Sequence, residues 1–263
     1  LDNAAMCARR ATGALVCWGA GDGGMLGNGS DDDQPLPVAV AGVAQAASVK
    51  AAKEAACTLL RDGAVWCWGI NSSGQSGDGT SGPWMPEPVV NLDHAVQLDI
   101  AMLNCVTLPT GEVACWGQDQ FGWAGQGETL LQTPTIMKNV TDADSVHLPG
   151  PGSNQQPGAQ CVIFAGGRVS CTGANEFGNI DIDIADDLVD GEMKTIDGIT
   201  DAVQVVGTLG TTCALRANGE VLCWGTNGNG EMGTGSFEQP VQKVVTVSGL
   251  EGVVHLAGGR WHM

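Results

Sequence analysis

The sequence predicts an all-β chain made of about five repeats of one four-stranded unit. Three observations carry this. All ten cysteines fall into five pairs of identical spacing, Cys7/Cys17, Cys57/Cys67, Cys105/Cys115, Cys161/Cys171 and Cys213/Cys223, and the first cysteines of the pairs lie 50, 48, 56 and 52 residues apart. A period near 50 marks a repeat architecture and overrides a domain count taken from length. The 263 residues include 40 glycines and no tyrosine, and only 15% are charged, which leaves little of the material from which helix surfaces are made.

The first element of each unit is a hairpin. Between Cys57 and Cys67, apolar β-formers flank Asp62-Gly63, and the same slot holds Thr12-Gly13, Thr110-Gly111, Gly166-Gly167 and Asn218-Gly219. These dipeptides supply the positive φ of a tight hairpin. A three-residue loop, Arg61 to Gly63 with Gly63 in a left-handed bulge, centres the hairpin on Asp62 and sets Cys57 opposite Cys67. A two-residue loop would put them out of register on opposite faces. The spacing therefore predicts one cross-strand disulfide per hairpin. Zinc binding would call for short clusters such as C-x2-C, which are absent from the sequence. Five disulfides place the chain in an oxidising setting: extracellular, on a cell surface, or periplasmic.

The second element is a glycine-rich loop after the second cysteine, as in Gly69-Ile-Asn-Ser-Ser-Gly74 and Gly225-Thr-Asn-Gly-Asn-Gly230, and in four repeats it continues to a further Gly-x-Gly. Such glycines mark tight turns and close backbone approaches. No helix and no Lys-Ser/Thr follows them, so they are not phosphate loops. A Pro-rich stretch such as Pro86-Glu-Pro88 comes next, and then a last apolar strand such as Ala95 to Ile100. Four short strands per 50 residues fit one blade of a β-propeller. The segment Val253–Met263 has the pattern of the strand that precedes a cysteine hairpin, and only six residues precede Cys7. The expectation is a single domain, 1–263, whose ring is closed by the C-terminal strand. The alternatives are that Val253–Met263 meets another molecule, or that the chain is part of a longer propeller.

The pattern Cys-x-Leu-x-x-Asp/Asn-Gly-x-Val-x-Cys-Trp-Gly-x-Asn-x-x-Gly-x-x-Gly-x-Gly resembles the repeat of the RCC1 (regulator of chromosome condensation) family, and the paired cysteines resemble its secreted, bacterial-style branch. The match spans nearly the whole chain. It is closest in repeats two and five and eroded in repeat four, where Cys171-Thr-Gly replaces Cys-Trp-Gly. The resemblance implies a β-propeller, commonly of seven blades, against five repeats here.

Trp18, Trp68, Trp116 and Trp224 recur at one position and are expected to pack between blades. Trp66, Trp84, Phe121 and Trp123 break the repeat consensus, so the fold does not demand them, and they are the candidate partner contacts. Three sequons, at Asn28, Asn71 and Asn139, are candidate glycosylation sites. The acidic run containing Asp181, Asp183, Asp186 and Asp187 is a weak Ca²⁺ candidate without EF-hand spacing, and more simply a solvated loop. No other metal and no cofactor is expected. The four histidines, His94, His147, His255 and His262, form no triad or metal set; three of them recur at the repeat's last strand.

A net charge of −18 opposes binding to nucleic acid or to anionic membranes, and no apolar run is long enough to span a bilayer. The reading is a non-enzymatic extracellular module that binds proteins or builds structure, for instance as a subunit of a cell-surface or filamentous assembly. The alternative is a soluble inhibitor or ligand-binding propeller acting on a secreted enzyme, since some bacterial RCC1-type propellers similar to this chain bind β-lactamase. The family's namesake activity, nucleotide exchange on a small GTPase, is opposed by the implied compartment and by the acidity.

Overall fold

A computed structural model describes residues 5–52, 54–81, 85–92, 94–119, 122–125, 129–148, 159–173, 175, 178, 180, 192–208, 210–238 and 241–258. Nineteen strands form five antiparallel sheets, and the only helical element among these residues is one 3₁₀ turn at Asp22–Gly24. The chain divides into two compact units, residues 1–120 with 127–137 and residues 121–126 with 138–263.

In the first unit, sheet one is β1 (Ala5–Arg9), β2 (Leu15–Gly19) and β3 (Gln34–Ala39). Sheet two is β4 (Ala46–Ala51), β5 (Ala55–Leu60), β6 (Val65–Gly69) and β7 (Glu87–Pro88), and sheet three is β8 (Gln97–Ile100), β9 (Leu103–Thr107), β10 (Val113–Gln118) and β11 (Leu130–Ile136). In the second unit, sheet four is β12 (Ala143–His147), β13 (Ala159–Phe164), β14 (Arg168–Gly173) and β15 (Lys194–Thr195), and sheet five is β16 (Ala202–Gly207), β17 (Thr211–Arg216), β18 (Val221–Gly225) and β19 (Val241–Thr246). Strands follow chain order across every sheet, the meander of a propeller blade.

Four sheets have the expected four strands, and sheet one has three among the described residues. The other sheets take one edge strand from the residues ahead of their cysteine hairpin, and ahead of β1 the description starts at Ala5. The expected closing strand lies partly in 259–263, outside the described residues, and residues 253–258 carry no strand.

The hairpin register is as the spacing requires. Each cysteine pair sits directly opposite across its hairpin. All five disulfides are formed: Cys7 with Cys17, Cys57 with Cys67, Cys105 with Cys115, Cys161 with Cys171, and Cys213 with Cys223, at Cα–Cα separations of 4.1–4.2 Å. Gly63 has φ 89°, and its N–H closes the turn onto the Leu60 carbonyl at 3.1 Å. A Cβ there would stand 2.5 Å from the Cα of His94, because the segment entering the next sheet crosses the turn and Ala95 N–H donates to the Gly63 carbonyl. Glycine is required there twice over, by φ and by the approach.

The core lies between sheets. In sheet two, Cys57, Cys67 and Val65 pack on Leu98, Val106, Ala114 and Trp116 of sheet three. Cys7 and Cys17 pack likewise on Ala56 and Trp68, and Cys161 and Cys171 on Ala214 and Trp224. Cys213 and Cys223 depart from this packing pattern. Both are buried, but Cys223 and its partner pack on Leu215, Val221, Met232, Val253 and Leu256, with no tryptophan in the cluster. Side chains alternate along a strand, so each sheet presents a disulfide on one face and a tryptophan position on the other.

Candidate functional site

The Cys-Trp-Gly tryptophan locks one sheet to the loop of the sheet before it. Trp68 Nε1 donates to the Met25 carbonyl at 3.1 Å, and Trp116 Nε1 donates to the Gln75 carbonyl at 3.0 Å. Met25 and Gln75 hold the same place in successive glycine-rich loops. Two residues further along each loop, Gly27 and Gly77 lie against the incoming indole: a Cβ would come within 3.0 Å of Trp68 or 2.7 Å of Trp116. Trp68, Trp116 and Trp224 are buried, as expected of packing residues, whereas Trp18 at the same repeat position is half-buried.

The loops are braced from within by an asparagine that the sequence pattern contains but whose role it does not reveal. Asn71 is buried; its Oδ1 accepts the Ser76 N–H at 2.9 Å and its Nδ2 donates to the Thr80 carbonyl at 2.9 Å. Asn227 repeats this with the Met232 N–H and the Ser236 carbonyl, and Asn175 accepts the Ile180 N–H. The Asn71 side-chain amide is thus committed to the loop at both its ends. Asn139 is exposed, and Asn28 is half-buried, with its Oδ1 accepting the Ser30 N–H.

Of the candidate partner contacts, Trp66 lies on β6, half-buried, opposite Thr58 and Pro88. Trp123 is buried among the described residues. Trp84 and Phe121 lie outside the described residues, as do Asp181, Asp183, Asp186 and Asp187. Among the described residues, no three His, Cys, Asp or Glu side chains are placed to hold a metal ion.

Two charged groups of the fifth repeat have shifted pKa values. Arg216 donates to Asp201 at 2.7 Å and to Glu220 at 2.7 Å, and the bond to Asp201 leads in holding the guanidinium pKa above its usual value. Glu231 accepts from the backbone N–H and the side-chain amide of Asn229, both at 2.8 Å. Burial pushes the Glu231 carboxyl up, but its backbone and Asn229 hydrogen bonds outweigh this and leave its pKa lowered.

The family model described as "Regulator of chromosome condensation (RCC1) repeat" matches residues 54–75 and 202–231. Both segments hold the repeat features just described, from cysteine hairpin to glycine-rich loop. Among solved structures, human WBSCR16 superposes with a TM-score of 0.73 at 17% identity over 89% of this chain and 62% of that one. Prp20p of Saccharomyces cerevisiae, from a study of its binding to Gsp1p and histones, superposes with a TM-score of 0.74 at 17% identity over 94% of this chain and 61% of that one. Yeast RCC1 (Prp20) in its complex with Kap60 gives a TM-score of 0.73 at 17% identity, over 94% and 59%. The chain thus spans about 60% of the length of these structures. No curated protein sequence matches it. The chain thus carries two segments that match the RCC1 repeat and shares the β-propeller fold of these structures, with one hairpin disulfide in each of its five sheets.

Proposed function

We propose that this chain is a non-enzymatic protein-interaction module of an oxidising compartment, extracellular, cell-surface or periplasmic, and that it serves as a subunit of a larger assembly. The fold is one on which proteins bind proteins: the yeast relative was crystallised with Kap60 and studied for its binding to Gsp1p and histones. The observation that carries the compartment is the set of five hairpin disulfides, with no free cysteine among the ten. A reducing cytosol would keep such thiols unpaired. A charge of −18 favours neutral or basic protein surfaces over nucleic acid as partners. No helix among the described residues is long and apolar enough to cross a membrane.

Thiol trapping of the protein as it leaves its native compartment tests this. Blocking free thiols under denaturing conditions, then counting labels by intact mass, should find all ten cysteines protected. Unprotected cysteines in the native material would overturn the compartment, and with it the extracellular role.

A further inference from the structure

Three sequons read alike in the sequence, Asn28-Gly-Ser30, Asn71-Ser-Ser73 and Asn139-Val-Thr141, and the structure separates them. Asn71 is 5% exposed and spent on its own loop: Oδ1 accepts the Ser76 N–H and Nδ2 donates to the Thr80 carbonyl. A sugar on Nδ2 would sit where that second bond is, with no way out of the loop. Asn28 is half-buried, and its Oδ1 accepts the Ser30 N–H at 3.1 Å. The Ser30 hydroxyl is engaged in turn, donating to Asp32 at 2.8 Å and accepting the Asp32 N–H at 3.0 Å. Both amide and hydroxyl of that sequon are held within the loop.

Asn139 stands apart. It lies in the turn between β11 and β12 with φ 62°, the left-handed conformation that asparagine and glycine tolerate best. The corresponding turns hold Gly42, Asn91, Gly198 and Gly249, all with positive φ, so the backbone accounts for an asparagine at this place. It does not account for the hydroxyl two residues on: Asn91 is followed there by Asp93 and forms no sequon. Met137 and Val140 are 2% and 1% exposed and pin the turn on either side, which leaves Lys138, Asn139, Thr141 and Asp142 exposed. Unlike Asn28 and Asn71, Asn139 has a side chain that no hydrogen bond ties to the described residues. Its amide and the Thr141 hydroxyl therefore stand together at the surface, uncommitted to the fold.

We propose that Asn139 is an N-glycosylation site, the one acceptor of the three whose glycan the fold can carry. The donor is an oligosaccharide linked to a lipid diphosphate, in a compartment whose transferase reads Asn-x-Ser/Thr. Transfer forms a bond from sugar C1 to Asn139 Nδ2 and breaks the bond from C1 to the diphosphate. The diphosphate leaves with the electron pair, and one Nδ2 proton passes to a base of the transferase. The product is a bulky hydrophilic cover on an exposed turn, which costs the fold no hydrogen bond. A chain glycosylated at Asn71 could not close its loop, so the folded molecule carries no sugar there. The inference rests on the reading of the chain as a protein of an oxidising compartment and adds a modification at a defined residue.

The test is secretion of the 263-residue chain, behind a cleavable leader, from a eukaryotic cell. Intact mass before and after peptide N-glycosidase should differ by one oligosaccharide. Deglycosylation in heavy-oxygen water should label Asn139 and neither Asn28 nor Asn71. Thr141→Ala replaces an exposed side chain and keeps the asparagine that the turn favours, so it should abolish the mass shift and leave the melting temperature of the deglycosylated protein unchanged. Asn71→Gln should do the reverse, keeping the mass shift and lowering the melting temperature, because the longer side chain cannot make both loop bonds. A protein secreted without a glycan overturns the proposal, as does a glycan mapped to Asn28 or Asn71, or a mass shift that survives Thr141→Ala. Ten protected cysteines on an unglycosylated chain would strike the modification while the compartment stands; unprotected cysteines in the native material would strike the compartment instead.

Discussion

The carbonyl oxygen of Gln75 accepts two hydrogen bonds from the neighbouring sheet, from Trp116 Nε1 at 3.0 Å and from Asn104 Nδ2 at 2.9 Å. Both donors are fully buried, and they stand opposite each other across the β9–β10 hairpin. The inter-sheet junction therefore has a polar centre inside an apolar contact. That double acceptance decides how substitutions of Trp116 should rank. Trp116→Phe removes one donor but leaves the carbonyl bonded to Asn104, so the penalty for an orphaned buried acceptor is avoided and the loss should be about 1–2 kcal/mol. Trp116→Ala empties a buried site and should cost about 3–5 kcal/mol. Urea denaturation of the oxidised protein would check the ranking; equal losses would show that packing contributes nothing beyond the hydrogen bond.

Gly77 is the other half of that junction. Its φ is 66°, and a Cβ would meet Trp116 at 2.7 Å and Val89 at 2.9 Å. Gly42 has a similar φ of 71° with open space around it. Alanine at Gly42 strains only the left-handed backbone, at about 1 kcal/mol. Alanine at Gly77 adds to that the displacement of a packed indole, a further ~1–3 kcal/mol. Thermal melts of G42A and G77A measure the difference, and identical shifts would mean the indole moves aside freely.

Much of this was legible in the residues. The nine-residue cysteine spacing determines hairpin, register and disulfide together, because a one-residue slip would put the sulfurs on opposite faces. What was not legible depends on where the repeat is interrupted in space. Trp18 and Trp68 have the same sequence context, yet only Trp68 has a described loop to donate to. Cys67 and Cys223 likewise read alike, yet Cys67 shares its cluster with Trp116 and Cys223 has only aliphatic and thioether neighbours beyond its partner. Trp123 departs from consensus and reads as a surface aromatic, but its position corresponds to Gln75 in the loop and is buried. Asn71 matches a sequon while its amide is consumed by the loop. In each case the surroundings are set by residues distant in sequence, which a local pattern does not contain.

The disulfides should act through the unfolded chain. Cys105 and Cys115 are fully buried and ten positions apart, so their bond closes a short loop. Replacing both with alanine should cost about 2–3 kcal/mol on the chain-entropy account. For a chain of this size that lowers Tm by roughly 4–12 °C. Calorimetry under non-reducing conditions reads the shift, and repeating the scans with a reductant present throughout unfolding should shrink it. A shift that survives full reduction would mean the loss comes from packing of the sulfurs rather than from the crosslink.

Glu231 gives the structure an acid-sensitive point at the fifth repeat's loop. Its carboxylate accepts from Asn229 N–H and Nδ2, and its pKa is lowered in the folded state. A group whose folded pKa is depressed binds its proton more readily when the chain is unfolded. Its contribution is therefore present above the unfolded value, about 4.3 for glutamate, and is lost as pH falls through the lower folded value. Glu231→Gln keeps an acceptor oxygen but removes the charge, so it should be less stable than the wild type at neutral pH. The gap between the two proteins should close as pH is taken below about 4.3. Measuring denaturation midpoints of both from neutral pH to about pH 3 isolates this group, because the other carboxylates titrate in both proteins and cancel in the difference. A gap that stays constant across the range would mean that the Asn229 contacts do not distinguish the charged from the neutral side chain.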